Sequence, residues 1–72
     1  MLGDQQAVVE GIQPFLLHGV TYVDLVLRFA DGRTVNARLG EESVPRDLKP
    51  GDEVVAMMAA GMVVSLRADP PL

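Results

Sequence analysis

Few side chains in this sequence could carry out covalent or acid–base chemistry. The chain has two serines, Ser43 and Ser65, one histidine, His18, and no cysteine. Nucleophilic catalysis by serine needs a base that a third group orients. No carboxylate has a spacing from His18 that is typical of such a catalytic arrangement. We therefore expect His18 to be a loop residue and the protein not to be an enzyme.

The carboxylates fall into two short clusters that could hold a hard cation. Glu41 and Glu42 form one cluster, and Asp52 and Glu53 form the other. Neither cluster has the ordered ligand spacing of a calcium loop, and a single histidine without cysteines nearly excludes structural zinc. We predict a solvated acidic rim, with no metal and no cofactor. Arg38 could steer an anion towards Ser43, although its predicted ion pair with Asp24, described below, also explains it.

Length and charge limit the functions that remain. The 72 residues make one small domain with a formal charge of −4. A domain with a net negative charge, no stripe of basic residues and no set of aromatic side chains is poorly suited to bind nucleic acids. The start, MLGDQQ, lacks the pattern of a signal peptide, and the uncharged run of eleven residues at 54–64 is too short to span a membrane. We expect a cytoplasmic protein without membrane insertion, and oligomerisation that offsets its small core.

The clearest local pattern is an alternation of apolar and polar residues over 21–39. Strands at 23–29 and 35–39 can keep all their apolar residues on one face only if a three-residue turn, Ala30-Asp31-Gly32, joins them. This register pairs Leu27 with Val35 and places Asp24 opposite Arg38. The sequence therefore predicts a hairpin with a surface ion pair.

Other segments predict three further strands. The segment QAVVEGI predicts a strand with a bulge or bend at Gly11. The apolar residues 15–17 either begin the next strand early or cover a core or a partner. GEESVPRD allows a single helical turn, and KPGD predicts a type II turn. Strands should follow at Glu53 to Ala59 and at Met62 to Arg67, with a bend at Ala60-Gly61.

The last two strands differ in their patterns. In the second strand we expect Met62, Val64 and Leu66 to point inwards, and Val63, Ser65 and Arg67 to point outwards. The first strand is apolar on both faces, which indicates burial in a sandwich or against another subunit, and the small size favours the subunit. The methionines could equally serve a partner surface or the core. We predict an oligomer interface that includes Val55, Met57, Val63, Phe15 and Leu17.

Together these elements predict an all-β fold. Five short strands with tight turns and minimal helix are typical of a small barrel that is closed or partly open. The domain should span residues 1–72, with frayed or linking segments at 1–5 and 68–72.

The segments ADGRTVNARL, EESV and LKPGDEVVAMMAAGMVVSL resemble the TOBE domain, including its Mop or molbindin branch, over about residues 8–66. The resemblance implies a five-stranded OB-like barrel that forms homo-oligomers, either as part of the ATPase subunit of an ABC importer or standing alone. In molbindins, backbone N–H groups, hydroxyls and a lysine hold molybdate or tungstate at subunit interfaces.

Carried onto this sequence, the resemblance implies a binding site for an oxyanion such as molybdate, tungstate or sulfate. Ser43 matches a family serine, whereas Ala59, Ala60 and Gly61 stand where the family has lysine, alanine and serine. The site would then consist of backbone donors at 59–61, the hydroxyl of Ser43 and the charge of Arg38. The alternative is a purely structural interaction domain that dimerises through the strands at 54–64 and binds no ligand.

Overall fold

The computed structural model describes residues 2–69 and consists almost entirely of strands. The strands are β1 (Leu2–Leu17), β2 (Val20–Phe29), β3 (Thr34–Gly40), β4 (Glu53–Ala59) and β5 (Met62–Ala68). A single 3-10 turn, η1, spans Glu41–Ser43. The all-β prediction is confirmed, and no described helix is long and apolar enough to cross a membrane.

The five strands form one antiparallel sheet in the order β3-β2-β1-β4-β5. Central β1 pairs with β4 through its first half and with β2 through its second half. At about 3.3 Å per residue its 16 residues would reach about 50 Å if straight, but the longest dimension of the molecule is 35 Å. β1 therefore bends, and the bulge between Val9 and Gly11 supplies the expected irregularity.

The sheet curls without closing. The edge strands β3 and β5 approach each other, but no described backbone pairing joins them. The structure is therefore one open, curled sheet, and the predicted barrel is not closed. Residues 2–5, which we expected to be frayed, instead pair with the end of β4, because the extended N-terminal segment supplies the ladder partners that this strand needs. Residues 70–72 of the expected tail lie outside the described residues.

The β2–β3 hairpin confirms the predicted register. Leu27 pairs with Val35, and Asp24 pairs with Arg38. The turn is closed by the Gly32 N–H, which donates to the carbonyl of Phe29 at 2.9 Å, and Gly32 has a φ of +87°. Only a glycine adopts this left-handed backbone without steric cost, which explains the DG pair in the sequence.

Two further hairpins use two-residue turns in the left-handed region. His18 and Gly19 have φ values of +51° and +78°, and Ala60 and Gly61 have the same pair of values. Consecutive positive φ angles define a type I′ turn, whose twist matches the flanking strands. The bend at 60–61 is thus confirmed. The apolar residues 15–17 belong to β1, which runs directly into the His18-Gly19 turn.

Because alanine fits the left-handed region poorly, Ala60→Asn should stabilise the protein. Asparagine is favoured at this position of a type I′ turn, and we expect the free energy of unfolding to rise by about 0.5–1 kcal/mol. Urea denaturation measures the change. The matched control is Ala30→Asn in the β2–β3 turn, where the alanine has no positive φ. Equal effects at both positions would contradict this explanation.

The core lies on the concave face of the curled sheet. Its buried side chains come from all five strands: Ala7, Val9, Val23, Leu25, Leu27, Phe29, Leu39, Val54, Ala56 and Leu66. The segment between β3 and β4 adds Val44 and Leu48, which pack against this cluster. Within this segment, Lys49 to Asp52 form the predicted type II turn, with Gly51 at a φ of +93° and the Asp52 N–H donating to the carbonyl of Lys49 at 3.1 Å.

The predicted facing of β5 is wrong at its start. Met62 and Val64 are exposed at 67% and 41%, whereas Val63 packs against the core. The cause is a bulge: Met57 pairs with Ser65 but Met58 pairs with Val63, so Val64 is an extra residue in β5. One extra residue reverses the side-chain alternation on its N-terminal side. Leu66, beyond the bulge, points inwards as predicted.

Candidate functional site

Arg38, the predicted anion-steering residue, is engaged on the outer face of the sheet. Its Nε donates to Asp24 Oδ1 at 2.8 Å, and a second guanidinium nitrogen donates to Oδ2 at 3.2 Å. The guanidinium lies 4.6 Å from the centre of the Phe15 ring, and Phe15 stacks on Tyr22 with 5.7 Å between ring centres. The charge of Arg38 is therefore already paired and its planar faces are partly used.

The Asp24–Arg38 ion pair should make the stability of the protein depend on pH in the acidic range. Hydrogen bonds from Arg38 lower the pKa of Asp24 below its ordinary value of 3.8. A lowered folded-state pKa contributes stability that is present above the ordinary value and is lost as the pH falls through the folded value.

Asp24→Asn should therefore flatten the fall of the urea midpoint below about pH 4, which a denaturation series over pH measures. The control is Asp47→Asn, because the Asp47 carboxylate has no hydrogen-bond or ion-pair partner within residues 2–69. If Asp47→Asn flattened the profile equally, the Asp24–Arg38 pair would not be the cause.

The other predicted anion ligands lie on two elements. Ser43 is the last residue of η1 and is half-buried, and η1 contacts β5. Ala59 ends β4, and Ala60 and Gly61 form the exposed turn into β5. Neither turn N–H donates to a backbone carbonyl of the described residues. Within residues 2–69, the N–H groups of Ala60 and Gly61 and the hydroxyl of Ser43 thus have no hydrogen-bond partner, whereas the Arg38 guanidinium is engaged.

Three surface depressions within residues 2–69 lie away from this region. One has a volume of about 470 Å³ and is lined by the 6–8 segment of β1, by the β2–β3 turn, and by Glu53 and Asp69. Another lies beside the Pro45–Leu48 segment, and a third lies over the outer faces of β2 and β3, where Arg38 contributes to its wall. None of these three is lined by Ser43 or by the 59–61 turn.

Of the residues in the two acidic clusters, Glu41, Glu42 and Glu53 are exposed to solvent, and Asp52 has a structural role. The Asp52 carboxylate accepts the Lys49 backbone N–H at 3.0 Å and lies 3.3 Å from Lys49 Nζ. The backbone N–H is the main reason that the pKa of Asp52 is lowered. No group of three or more potential metal-ligating side chains occurs in the described part of the chain. Asp52 therefore closes the type II turn. His18, as expected, lies exposed in a turn.

Polar bridges cover the outer side of Val55. Arg67 donates to Asp4 at 2.8 Å and Gln6 donates to Asp69 at 3.0 Å. Asp4 and Gln6 are on β1 and Arg67 is on β5, so both bridges cross the strand β4 that lies between them. Of the predicted interface residues, Val55 is thus half-buried within its own chain and Val63 contributes to the core.

Exposed apolar side chains concentrate at two hairpin ends. The first, which we call the arm, consists of Leu16, Leu17 and Val20 around the β1–β2 turn. The second, the ribbon tip, consists of Met57, Met62 and Val64 near the β4–β5 turn. These six account for all but Val26 of the large hydrophobic residues that are exposed in the described structure.

Only Leu17 and Met57 of these six were predicted as interface residues. Leu16 and Met62 had been considered as possible partner surface but were not placed in the predicted interface, and Val20 was not considered. The sequence does carry a signal for the exposure of all of them. Residues 11–23 and 54–66 contain no Asp, Glu, Lys or Arg, although the chain as a whole is 22% charged. Two uncharged stretches that end in exposed turns are the feature that could have identified both hairpin ends.

Comparisons of the chain with protein-family models, with curated proteins and with solved structures found no match.

Proposed function

We propose that this protein is a non-enzymatic interaction domain that assembles with copies of itself. The observation that carries the proposal is that six of the seven large hydrophobic residues exposed within residues 2–69 lie in the arm or the ribbon tip. Leu16 is 70% exposed and Met62 is 67% exposed, although scattered single apolar residues are the rule on monomer surfaces.

The energetics favour assembly. The six side chains of the two patches expose on the order of 500 Å² of mostly apolar surface, and burial is worth about 25 cal/mol per Å². A domain of this size also buries a small fraction of its own surface and has little stability to spare. Contact between copies supplies the missing burial without disulfides or metals.

The concentration dependence of thermal unfolding tests this proposal. A folded oligomer gains stability by mass action, so the midpoint temperature should rise by several degrees between about 5 μM and 500 μM protein. The control is urea unfolding at the lowest concentration, which measures the stability of the isolated chain. A midpoint that stays constant over the whole range would refute self-association.

A second candidate is the oxyanion-binding module of ABC transport that the resemblance to TOBE and Mop domains implies. The free N–H groups of Ala60 and Gly61 favour it, because convergent backbone donors bind anions even in a negatively charged protein. In this proposal the ligand is molybdate, tungstate or sulfate, and the partner is an ABC transporter ATPase or the remainder of one.

Calorimetric titration with each of the three anions separates the two candidates. If the protein binds an oxyanion, Ser43→Ala should weaken binding about tenfold, since it removes one hydrogen bond to a charged group. Ser65→Ala, on the outer face of β5, is the matched control and should have no effect. Absence of heat with all three anions would leave the interaction domain as the function.

A further inference from the structure

The arm and the ribbon tip lie at opposite ends of the same strand. The arm continues β1 beyond Leu17, where this residue pairs with Val20. The ribbon tip flanks the other end, where Leu2 pairs with Ala59 and Ala59 pairs with Met62. The two patches therefore cannot cover each other within one chain. Two chains that lie side by side with their β1 strands antiparallel bring each arm beside the ribbon tip of the other.

The arm is apolar on both of its faces. Leu16 pairs with Thr21 and continues the inward-facing row of β1, whereas Leu17 and Val20 form a pair on the outer face. All three are exposed because the hairpin extends past the core. A flat contact covers one face only, so the arm needs a surface that can surround it.

The ribbon tip has the side chains for such a surface. Methionine is flexible and adapts its shape to an apolar partner, and the ribbon tip has two methionines beside Val64. The flanking stretches 11–23 and 54–66 contain no Asp, Glu, Lys or Arg, and Asp4, which lies opposite Met57, is already paired with Arg67. Contact between the two patches therefore desolvates few charges, which removes the main cost of burying a surface.

We infer that two copies pair reciprocally, with the arm of each chain packed on the ribbon tip of the other. This pairing rests on the self-association proposed above and names its geometry. Of the seven large hydrophobic residues exposed in the described part of the chain, it covers six at two identical contacts, as a two-fold axis requires.

Buried area distinguishes this arrangement from simpler ones. A reciprocal dimer buries both patches of both chains, on the order of 1,000 Å² in total, which reaches the lower range of specific interfaces. A contact between two arms, or between two ribbon tips, buries about half of this area and falls in the range of weak lattice contacts. It also leaves the other patch in water.

Single cysteines introduced into this cysteine-free chain test the geometry. Val20→Cys places a thiol on the arm, Met62→Cys places one on the ribbon tip, and Asn36→Cys on the exposed outer side of β3 is the control. Each variant is oxidised mildly alone and in equimolar mixtures. A disulfide forms only where two Cβ atoms approach to about 4 Å, so its partners report the contact.

We expect the mixture of Val20→Cys with Met62→Cys to give at least about tenfold more disulfide-linked dimer than either variant alone or than any mixture with Asn36→Cys. A wild-type dimer in which Val20→Cys or Met62→Cys links mainly to itself overturns the reciprocal pairing and leaves self-association standing. A wild-type dimer without any of these links also overturns it. A wild-type protein that is monomeric at every concentration defeats self-association as well.

Discussion

Leu27→Ala should lower the free energy of unfolding by a large fraction of its total. Leu27 has no solvent exposure and lies near the end of β2, where it pairs with Val35 on β3 and packs into the concave core. Removing a buried leucine side chain costs roughly 2–5 kcal/mol, because the surrounding atoms fill the cavity only partly. A chain of this size has a total stability of roughly 4–11 kcal/mol. Urea denaturation followed by circular dichroism should show a midpoint lowered by at least about a fifth.

The matched control is the next residue along the same strand. Val26→Ala removes a side chain that is 37% exposed on the outer face and lies opposite Gly11 of β1. We expect it to cost less than about 1 kcal/mol. If Val26→Ala proved as damaging as Leu27→Ala, the assignment of the inner and outer faces of β2 would be wrong.

Met62→Asp should have the largest effect on assembly. Met62 is the most exposed residue of the ribbon tip, and in the reciprocal dimer it is covered by the arm of the other chain. An unpaired carboxylate in a desolvated contact costs roughly 2–5 kcal/mol, so the dissociation constant should rise at least about 30-fold. Since Met62 contributes little to the core of its own chain, unfolding at low protein concentration should be nearly unchanged. Sedimentation velocity over a concentration series measures the dissociation constant.

Asn36→Asp adds the same charge at an exposed position on β3, away from both patches. It separates a local effect from the general repulsion between chains that already carry a charge of −4. We expect less than a threefold change in the dissociation constant for this variant, as is typical of exposed charges. Equal weakening by both substitutions would show that net charge, and not the ribbon tip, controls assembly.

The fold was predictable wherever a strong local rule applied. The alternation of 23–29 and 35–39 had one register that kept all apolar residues together, and the structure has this register, including the Asp24–Arg38 pair. Likewise, Pro50-Gly51 permitted a type II turn, and Ala60-Gly61 had to be the bend between two strands. These features depend on neighbours within a few residues or on one face of one hairpin.

The errors arose where distant segments decide the outcome. The bulge at Val64 depends on how β5 aligns with β4, and without it Met62 would have pointed inwards as predicted. The cover over Val55 depends on Asp4 and Arg67, which are 63 residues apart and meet across β4. Neither feature leaves a mark in a period-2 pattern, because period and propensity describe only a chain and its immediate neighbours.

The candidate site was predictable only as a set of residue types. Ser43, Ala60 and Gly61 carry donors without a partner among residues 2–69, but the sequence could not show that Asp24 and Phe15 both engage Arg38. For the arm and the ribbon tip, the sequence does indicate the positions. Their positions follow from uncharged stretches that the sequence displays openly, whereas their exposure follows from the length of the β1–β2 hairpin beyond the core.

Self-association and oxyanion binding are compatible with each other and would be coupled. The 59–61 turn adjoins Met62 in the ribbon tip, so an oxyanion bound at this turn would lie beside the arm of the other chain. Assembly would then exclude water from the turn donors and strengthen their interaction with an anion. In this framework an oxyanion should tighten the dimer, and Met62→Asp should weaken oxyanion binding as well as assembly.

Sedimentation equilibrium of the wild-type protein tests self-association most directly. At protein concentrations from about 10 μM to 1 mM and moderate salt, the mass should approach twice the 7.7 kDa of one chain and should fall towards one chain on dilution. A mass of one chain at every concentration, from a protein that is folded by circular dichroism, would contradict the account.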